Sequence, residues 1–195
     1  MASIILAGGP SSRMGQDKAM LMFNGQTLLE RAVRIAADVS QPIWVVADRA
    51  GHYHPTGAFV IGDEHLGVGP LGGLITGLKA AGPGIHIAMA CDTPLMEPKV
   101  LSLLLSKIGK YDAALFNLED GLQPLGAVYR DKALPALIAS YEAGNRALHA
   151  AVKSLKTLIL DTGDLLHVDP EGLSFTNIND LDDYADLLGE PKEEL

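Results

Sequence analysis

Short apolar runs alternate with longer stretches of helical periodicity through the first 110 residues of the chain. Runs that are apolar on both faces are typical of parallel strands covered by helices. The apolar runs predict strands at 2–6, 43–47, 59–61, 85–90, 113–116, 126–129 and 157–160. The periodic stretches predict helices from residue 28 onward and at 70–81, 98–108, 132–143, 146–155 and 181–188. This alternation predicts an α/β protein with three layers and a mostly parallel central sheet.

Several of the predicted strands end in glycine or aspartate. The first strand leads into Gly8 and Gly9, and later strands lead to Asp48, Asp63 and Asp92. Because the carboxyl ends of parallel strands meet at one edge of a sheet, ligands bind at that edge in open α/β folds. We therefore expect these residues to line one shared cleft.

Composition narrows the possible classes of protein. A chain of 195 residues that is 48% hydrophobic and 20% charged fits a single globular domain spanning 1–195. The formal net charge of -9 argues against a nucleic-acid binder, although one bound anion needs only local positive charge. The single cysteine, Cys91, excludes an internal disulfide. No apolar run reaches membrane-spanning length and the N-terminus lacks a basic signal region, so we expect a cytoplasmic protein with no membrane partner.

The segment after the first strand combines glycines with two cations, Arg13 and Lys18. Backbone N–H groups at Gly8 and Gly9 can approach an anion closely, and the two cations can neutralise it. The segment contains neither the P-loop pattern nor the dinucleotide-binding glycine pattern. An ordinary strand-to-helix turn with surface charges is the alternative. The presence of both cations favours a polyphosphate-binding loop.

Asp92 lies in the sequence Cys91-Asp92-Thr93-Pro94, directly after a predicted buried strand. Mg²⁺ prefers one or two carboxylates together with phosphate oxygens and water. The alternative is a turn or helix-capping aspartate, which is common before proline. Opposite a phosphate-binding loop, the metal-binding interpretation is favoured. Cys91 has no motif partner and is interpreted as a buried apolar residue rather than a nucleophile.

Two further aspartates and a second glycine-rich segment lie near the same predicted edge. Asp48 and Asp63 offer carboxylates to a sugar, a base or a metal ion, and capping of a strand end is the alternative for each. The segment that begins at Gly69 leaves space for a base to lie against the backbone. Close packing of helix against sheet explains the same glycines equally well.

Side-chain amides mark the later part of the chain at Gln123, Asn177 and Asn179. An amide both donates and accepts hydrogen bonds, so these residues suit a neutral ligand with many polar groups, such as a pterin. Asn179 or Asp180 is also a suitable N-cap for the last predicted helix. The two roles are compatible.

The sequence Leu6-Ala7-Gly8-Gly9-x-x-x-Arg13-Met14-Gly15-x-x-Lys18 resembles the signature of nucleotidyltransferases that activate small metabolites. Within that group the chain resembles the MobA-like family of molybdenum cofactor guanylyltransferases. Four more motifs carry this resemblance, in order along the chain: Gly69-Pro70-Leu71-x-Gly73, Asp92-Thr93-Pro94, Gln123-Pro124-Leu125 and Asn177-x-Asn179.

The resemblance implies a Rossmann-like nucleotidyltransferase fold and a specific reaction. GMP would be transferred from GTP, with Mg²⁺, to the terminal phosphate of molybdopterin or Mo-molybdopterin, and pyrophosphate would be released. Residues 1–110 would form the nucleotide-binding half and residues 111–195 the pterin-binding half. Protein partners would be other enzymes of molybdenum cofactor biosynthesis and the oxidoreductases that accept the product.

The resemblance also implies roles for individual residues. The catalytic residues would be Arg13, Lys18 and Asp92, with Asp92 as the metal ligand. The nucleotide-binding residues would be Leu6, Ala7, Gly8, Gly9, Lys18, Asp48, Asp63, Gly69 and Asp92. The pterin-binding residues would be Gln123, Arg146, Asn177 and Asn179.

Three other functions remain open from the sequence. The cytidylyltransferases of the same cofactor typically carry Ala-Ala-Gly where this chain has Ala7-Gly8-Gly9, and they are serine-rich at the position of 69–74, so both features favour guanine. A sugar-1-phosphate or isoprenoid-precursor nucleotidyltransferase would not need the amides at Gln123 or 177–179. A non-catalytic protein that binds molybdopterin or nucleotide belongs to another class, and the retained cations with Asp92 argue against it.

Overall fold

The computed structural model describes residues 1–7, 17–48 and 50–189. The described strands are β1 (Ala2–Leu6), β2 (Met22–Phe23), β3 (Gln26–Thr27), β4 (Ile43–Ala47), β5 (Phe59–Gly62), β6 (Ile85–Ala90), β7 (Ala113–Leu118), β8 (Gly121–Arg130) and β9 (Thr157–Leu160). The described α-helices are α1 (Leu28–Ala37), α2 (Pro70–Ala81), α3 (Pro98–Lys107), α4 (Leu134–Glu142), α5 (Leu148–Val152), α6 (Thr162–Leu166) and α7 (Leu181–Leu188). Short 3₁₀ turns are found at Lys18–Met20, Ala50–His52 and Asp131–Ala133.

Seven of the described strands form one sheet in the order β5-β4-β1-β6-β8-β7-β9. Strand β8 runs antiparallel to both of its neighbours, and the other pairs are parallel. Strands β2 and β3 form a separate antiparallel pair. The predicted α/β architecture with a mostly parallel sheet is therefore confirmed. The sheet runs without interruption across the predicted boundary at residue 110.

Helices cover both faces of the sheet, which explains why the central strands are apolar on both sides. In β1 the adjacent residues Ile4 and Ile5 are completely buried and belong to different core clusters. Ile5 packs in the cluster that contains residues of α1, α3 and α6. Ile4 packs in the cluster that contains residues of α2, α4 and α5. Successive side chains of a strand point to opposite faces, so the sequence pattern and the three layers have the same cause.

Local signals in the sequence set the helix ends. Thr27 and Glu30 form a capping box at the start of α1, because each side chain accepts a hydrogen bond from the backbone N–H of the other. Helix α2 has Pro70 in its first turn, and Gly82 follows its last residue with a φ of 73°. Both residues suit these positions, since proline fits the first turn and glycine tolerates positive φ after the last.

The glycines of α2 allow the helix to lie directly on β1. A Cβ atom at Gly73 would lie 3.1 Å from Cδ2 of Leu6, and one at Gly77 would collide with Cγ2 of Ile4. Close packing of helix against sheet therefore accounts for these two glycines. Gly69 differs from them, because it is exposed and a Cβ there would meet no described atom within 4 Å.

Strand β8 is longer than predicted and includes Gln123 and Pro124. The predicted strand was 126–129, whereas β8 begins at Gly121 and contains a proline, which has no N–H to donate. The pairing of β7 with β8 shifts register between Ala114 and Phe116, opposite this part of β8. An irregular ladder tolerates a residue that cannot donate, so Pro124 lies within the strand.

Five other elements differ from the prediction. Helices α4 and α5 are shorter than the predicted 132–143 and 146–155. Helix α6 was not predicted, although Asp161 and Asp164 form a capping box at its start. The pair β2–β3 has no counterpart among the predicted strands. Such short elements carry too few residues to show a period. In the described parts of the chain, no helix has both the length and the apolar character needed to cross a membrane.

Candidate active site

The carboxyl ends of β1, β4, β5 and β6 meet at one edge of the sheet, as expected. Hydrogen bonds extend the ladder beyond the strands: Ala7 N donates to Val46 O at 2.9 Å, Asp63 N donates to Ala47 O at 3.0 Å, and Cys91 N donates to Leu6 O at 3.2 Å. These bonds fix the backbone where the candidate residues Ala7, Asp63 and Asp92 begin to face the cleft.

Lys18 and Asp92 form an ion pair at this edge. Nζ of Lys18 lies 3.3 Å from Oδ2 of Asp92, and the two side chains are 22% and 24% exposed. The sequence predicted that this cation and this carboxylate would face each other across the cleft, and the structure brings them together. Gly8, Gly9 and Arg13, which complete the predicted loop, lie outside the described residues.

The second oxygen of Asp92 has properties that suit a cation. Oδ1 is buried, and no described residue donates a hydrogen bond to it. A buried acceptor without a donor is costly unless a ligand satisfies it. The described residues contain no group of three or more His, Cys, Asp or Glu side chains arranged to hold a metal ion. One carboxylate that leaves other positions for phosphate oxygens and water fits Mg²⁺.

Asp17 and Tyr53 adjoin Lys18, and sequence reasoning gave neither a role. Oδ1 of Asp17 accepts from Ala19 N at 3.1 Å, which caps the 3₁₀ turn that begins at Lys18. Oδ2 of Asp17 accepts from the hydroxyl of Tyr53 at 2.6 Å. The adjacency of Asp17 to Lys18 was visible in the sequence, but nothing there connected Tyr53 to it.

Asp63 caps the loop that leads into α2. Its Oδ1 accepts from Thr76 Oγ1 at 2.8 Å and from His65 N at 2.9 Å. The capping alternative is thus present, and it does not exclude contact with a nucleotide.

Asp48 follows β4 directly and is exposed at the same edge. Leu6 ends β1, and its side chain lies against Gly73.

A cavity of about 460 Å³ lies beside the β7–β8 turn. Three of the four predicted pterin-binding residues line it: Gln123, Asn177 and Asn179. Its other lining residues were not predicted and come from β7, the β7–β8 turn, α6 and the segment before α7: Leu118, Glu119, Asp120, Thr162, Leu165, Leu166, Gly172, Phe175 and Thr176. Their assembly depends on the antiparallel return of β8, which places the turn at the carboxyl edge.

Arg146 lies apart from this cavity. Its guanidinium carbon lies 4.9 Å from the centre of the Tyr141 ring, and the Tyr141 ring packs edge-on against His65. His65 is in the loop before α2, and Tyr141 belongs to α4, so this group lies on the α2–α4 side of the sheet. Arg146 is exposed.

Cys91 is buried beside Asp92. Burial, followed by the charge of Asp92, raises the pKa of its thiol to about 12. The thiol therefore stays protonated at neutral pH, because a thiolate would have to be desolvated. This agrees with the interpretation of Cys91 as a buried apolar residue.

Comparison with known proteins decides the family. Residues 3–158 match the sequence model of the MobA-like NTP transferase domain. The chain belongs to this family. A probable molybdenum cofactor guanylyltransferase from Chloroflexus aggregans is 37% identical over 191 residues, covering 94% of this chain and 91% of that protein. A protein of the same description from Methanosarcina mazei is 30% identical and covers 100% of this chain and 92% of its own length.

A solved structure supports the same assignment. The crystal structure of molybdopterin-guanine dinucleotide biosynthesis protein A from Archaeoglobus fulgidus superposes with a TM-score of 0.82. The two sequences are 26% identical, and the match covers 96% of each chain. The nucleotidyltransferase fold that the motifs implied is therefore confirmed over almost the whole chain.

Proposed function

We propose that this protein is a molybdenum cofactor guanylyltransferase, which transfers GMP from GTP to the terminal phosphate of molybdopterin. The products are molybdopterin guanine dinucleotide and pyrophosphate. The observation that carries the proposal is the Lys18–Asp92 pair, 3.3 Å apart at the carboxyl edge of the sheet. Two relatives described as probable molybdenum cofactor guanylyltransferases match this chain over 91% and 92% of their own length.

The nucleotide would lie over this edge with its phosphates towards Lys18. The attacking oxygen is part of an ionised phosphate, so the reaction needs no general base. The obstacle is the approach of two polyanions, and Lys18 lowers their repulsion as charge shifts to the leaving pyrophosphate. Arg13 would add a second positive charge from the glycine-rich loop. Asp48, Asp63 and Gly69 would contact the guanosine. The backbone of Leu6 and Ala7, with Gly8 and Gly9, would face the nucleotide.

A divalent metal ion fits the same edge, and we propose Mg²⁺. Asp92 would hold it through the buried Oδ1, while Lys18 stays close to Oδ2. When bound, the ion would supply positive charge to the phosphate oxygens around the reacting centre. Asp92 would orient the ion, and its Oδ2 keeps Lys18 at the cleft.

The pterin would lie in the cavity lined by Gln123, Asn177 and Asn179. A volume of about 460 Å³ is within the range of sites for small organic ligands. Amide groups match the alternating donors and acceptors of a pterin ring. Residues 111–195 would thus serve the pterin and residues 1–110 the nucleotide. Arg146, whose guanidinium lies over the ring of Tyr141, would contact a pterin phosphate with its exposed N–H groups.

The experiment that tests this function measures pyrophosphate release by the purified protein with Mg²⁺. Molybdopterin with GTP should release pyrophosphate, whereas GTP alone should not. CTP should be a much poorer donor than GTP. Preference for CTP would instead indicate the cytidylyltransferase, and no release with either nucleotide would indicate a binding protein without transfer activity. In the cell we expect the reaction in the cytoplasm, beside the enzymes that make molybdopterin and the oxidoreductases that receive the product.

A further inference from the structure

The hydroxyl of Tyr53 connects two segments that leave the sheet at neighbouring strands. Tyr53 follows β4 and the 3₁₀ turn Ala50–His52, whereas Asp17 lies in the segment after β1. The hydroxyl donates to Oδ2 of Asp17 at 2.6 Å. The tyrosine is 7% exposed and packs in the same core cluster as Cys91. A buried ring holds the hydroxyl in place, so the hydrogen bond has a fixed anchor.

Asp17 passes this constraint to the backbone of Lys18. Its other oxygen accepts from Ala19 N at 3.1 Å, and its carbonyl accepts from Met20 N at 3.0 Å. At the far end of the turn, Leu21 N donates to Lys18 O at 3.1 Å. Ala19 is buried in the core. The backbone of Lys18 is therefore held at both ends of the turn, and its side chain reaches Asp92 from a fixed origin.

We propose that Tyr53 is a positioning residue for Lys18, acting through Asp17. The inference rests on the proposed role of Lys18 in binding the phosphates of GTP. Lysine has a flexible stem and a compact charge, so its usefulness depends on where its backbone is held. A hydrogen-bonded supporting residue fixes such a group within the small tolerance that phosphate binding requires.

The hydroxyl is suited to this role over a wide pH range. Burial, and then the hydrogen bond to Asp17, raises the pKa of Tyr53 above its ordinary value. The hydroxyl consequently stays protonated, and remains a donor, at neutral pH. Asp17 accepts with both oxygens, so losing the tyrosine hydroxyl removes one of these two bonds and holds the turn that carries Lys18 less firmly.

The test measures binding of Mg²⁺–GTP to the full chain by calorimetry, without molybdopterin. Tyr53→Phe keeps the buried ring and should weaken GTP binding about fivefold, because Lys18 is then held less precisely where the phosphates bind. The midpoint of thermal unfolding should fall by only a few degrees, the cost of one hydrogen bond within the protein. Tyr111→Phe is the matched control, because Tyr111 lies before β7 and stacks on Lys156 away from the cleft. It should leave GTP binding unchanged.

Two readouts separate positioning from general support of the fold. In steady-state assays, Tyr53→Phe should raise KM for GTP and leave KM for molybdopterin unchanged. In the Lys18→Ala background, adding Tyr53→Phe should cause no further loss of GTP binding, because its target is gone. Asp17→Ala should weaken GTP binding at least as much as Tyr53→Phe, since it removes both the bond from Tyr53 and the cap on Ala19 N.

The outcomes distinguish this inference from the proposed function. If Lys18→Ala weakens GTP binding but Tyr53→Phe does not, the positioning role is wrong and the proposed function stands. An equal loss from Tyr53→Phe in the wild-type and Lys18→Ala backgrounds also overturns it, since the tyrosine would then act independently of Lys18. If the wild-type protein does not bind GTP, both proposals fail.

Discussion

The backbone N–H of Ile178 donates to the carbonyl oxygen of Asp92 at 2.9 Å. Ile178 is completely buried in a small cluster with Leu21, Phe23 and Leu28. Asn177 and Asn179 flank it on both sides and line the cavity. The proposed metal ligand and the proposed pterin amides are thus held by one backbone hydrogen bond and one apolar anchor, although they are far apart in sequence.

This arrangement predicts separate effects on the two substrates. Asn177→Ala should raise KM for molybdopterin about three- to tenfold, the usual cost of one hydrogen bond, and leave GTP binding unchanged. Asn145→Ala is the control, because its amide bonds to Ser140 Oγ outside the cavity. Steady-state kinetics with each substrate varied in turn checks this. An equal loss for GTP would contradict the assignment of Asn177 to the pterin.

Replacement of Asp92 should affect turnover far more than stability. Asp92→Asn preserves the shape of the side chain but removes the charge that pairs with Lys18 and would hold Mg²⁺. We expect kcat to fall about a hundredfold or more, as for other groups that stabilise transition-state charge. The control Asp38→Asn, at the exposed end of α1, should leave kcat unchanged. Turnover near the wild-type rate with Asp92→Asn would exclude Asp92 from catalysis.

The contact between α2 and β1 predicts a stability effect that is independent of the site chemistry. Gly77→Ala places a methyl group against Ile4, which is completely buried. Overpacking of this kind should lower the free energy of unfolding by about 2 kcal/mol. In the control Gly51→Ala, the added Cβ meets no described atom within 4 Å, so the free energy of unfolding should change little. Urea unfolding followed by circular dichroism measures both. Equal stability of the two variants would show that α2 can move away from β1.

His86 predicts a pH dependence of stability. Its Nε2–H donates to Gly82 O at 2.9 Å, while Nδ1 is buried and no described residue bonds to it. Burial lowers the pKa of His86 below its ordinary value, so the folded protein binds this proton less readily than the unfolded chain. His86 therefore costs no stability above about pH 6.5, and the free energy of unfolding declines as the pH falls below that value.

The variant His86→Gln isolates this effect, because glutamine can still donate to Gly82 but does not titrate. Midpoints of thermal unfolding measured between about pH 5 and pH 8 should show the wild type losing stability relative to His86→Gln below about pH 6.5. Parallel curves for the two proteins would mean that His86 is protonated in the folded state without cost.

The periodicity of the sequence was sufficient to predict the sheet and most of its helices. Ile4 and Ile5 show why: a strand covered on both faces needs apolar residues at every position. The capping box at Thr27 and Glu30 is also local, since its partners are three residues apart. The early start of β8 was not predicted, because Pro124 is accommodated by an irregular pairing with β7 that no local pattern encodes.

The site was only partly predictable for a similar reason. Lys18 and Asp92 both follow predicted strands, so the shared edge of a parallel sheet brings them together. The bond from Tyr53 to Asp17 joins two loops, and the bond from Ile178 to Asp92 joins the segment before α7 to the segment after β6. Loop conformation and long-range packing set those contacts, and neither leaves a periodic signal. The positions of Glu119 and Phe175 in the cavity lining are likewise set by loop conformation and long-range packing.

The most direct test of the proposed activity follows each phosphate of GTP. The purified protein is incubated with Mg²⁺, molybdopterin and GTP labelled at either the α- or the γ-phosphate, and the products are separated. We predict that the α-label appears in the pterin product and the γ-label in pyrophosphate. Transfer of the γ-label to the pterin, or no transfer of either label, would contradict the account.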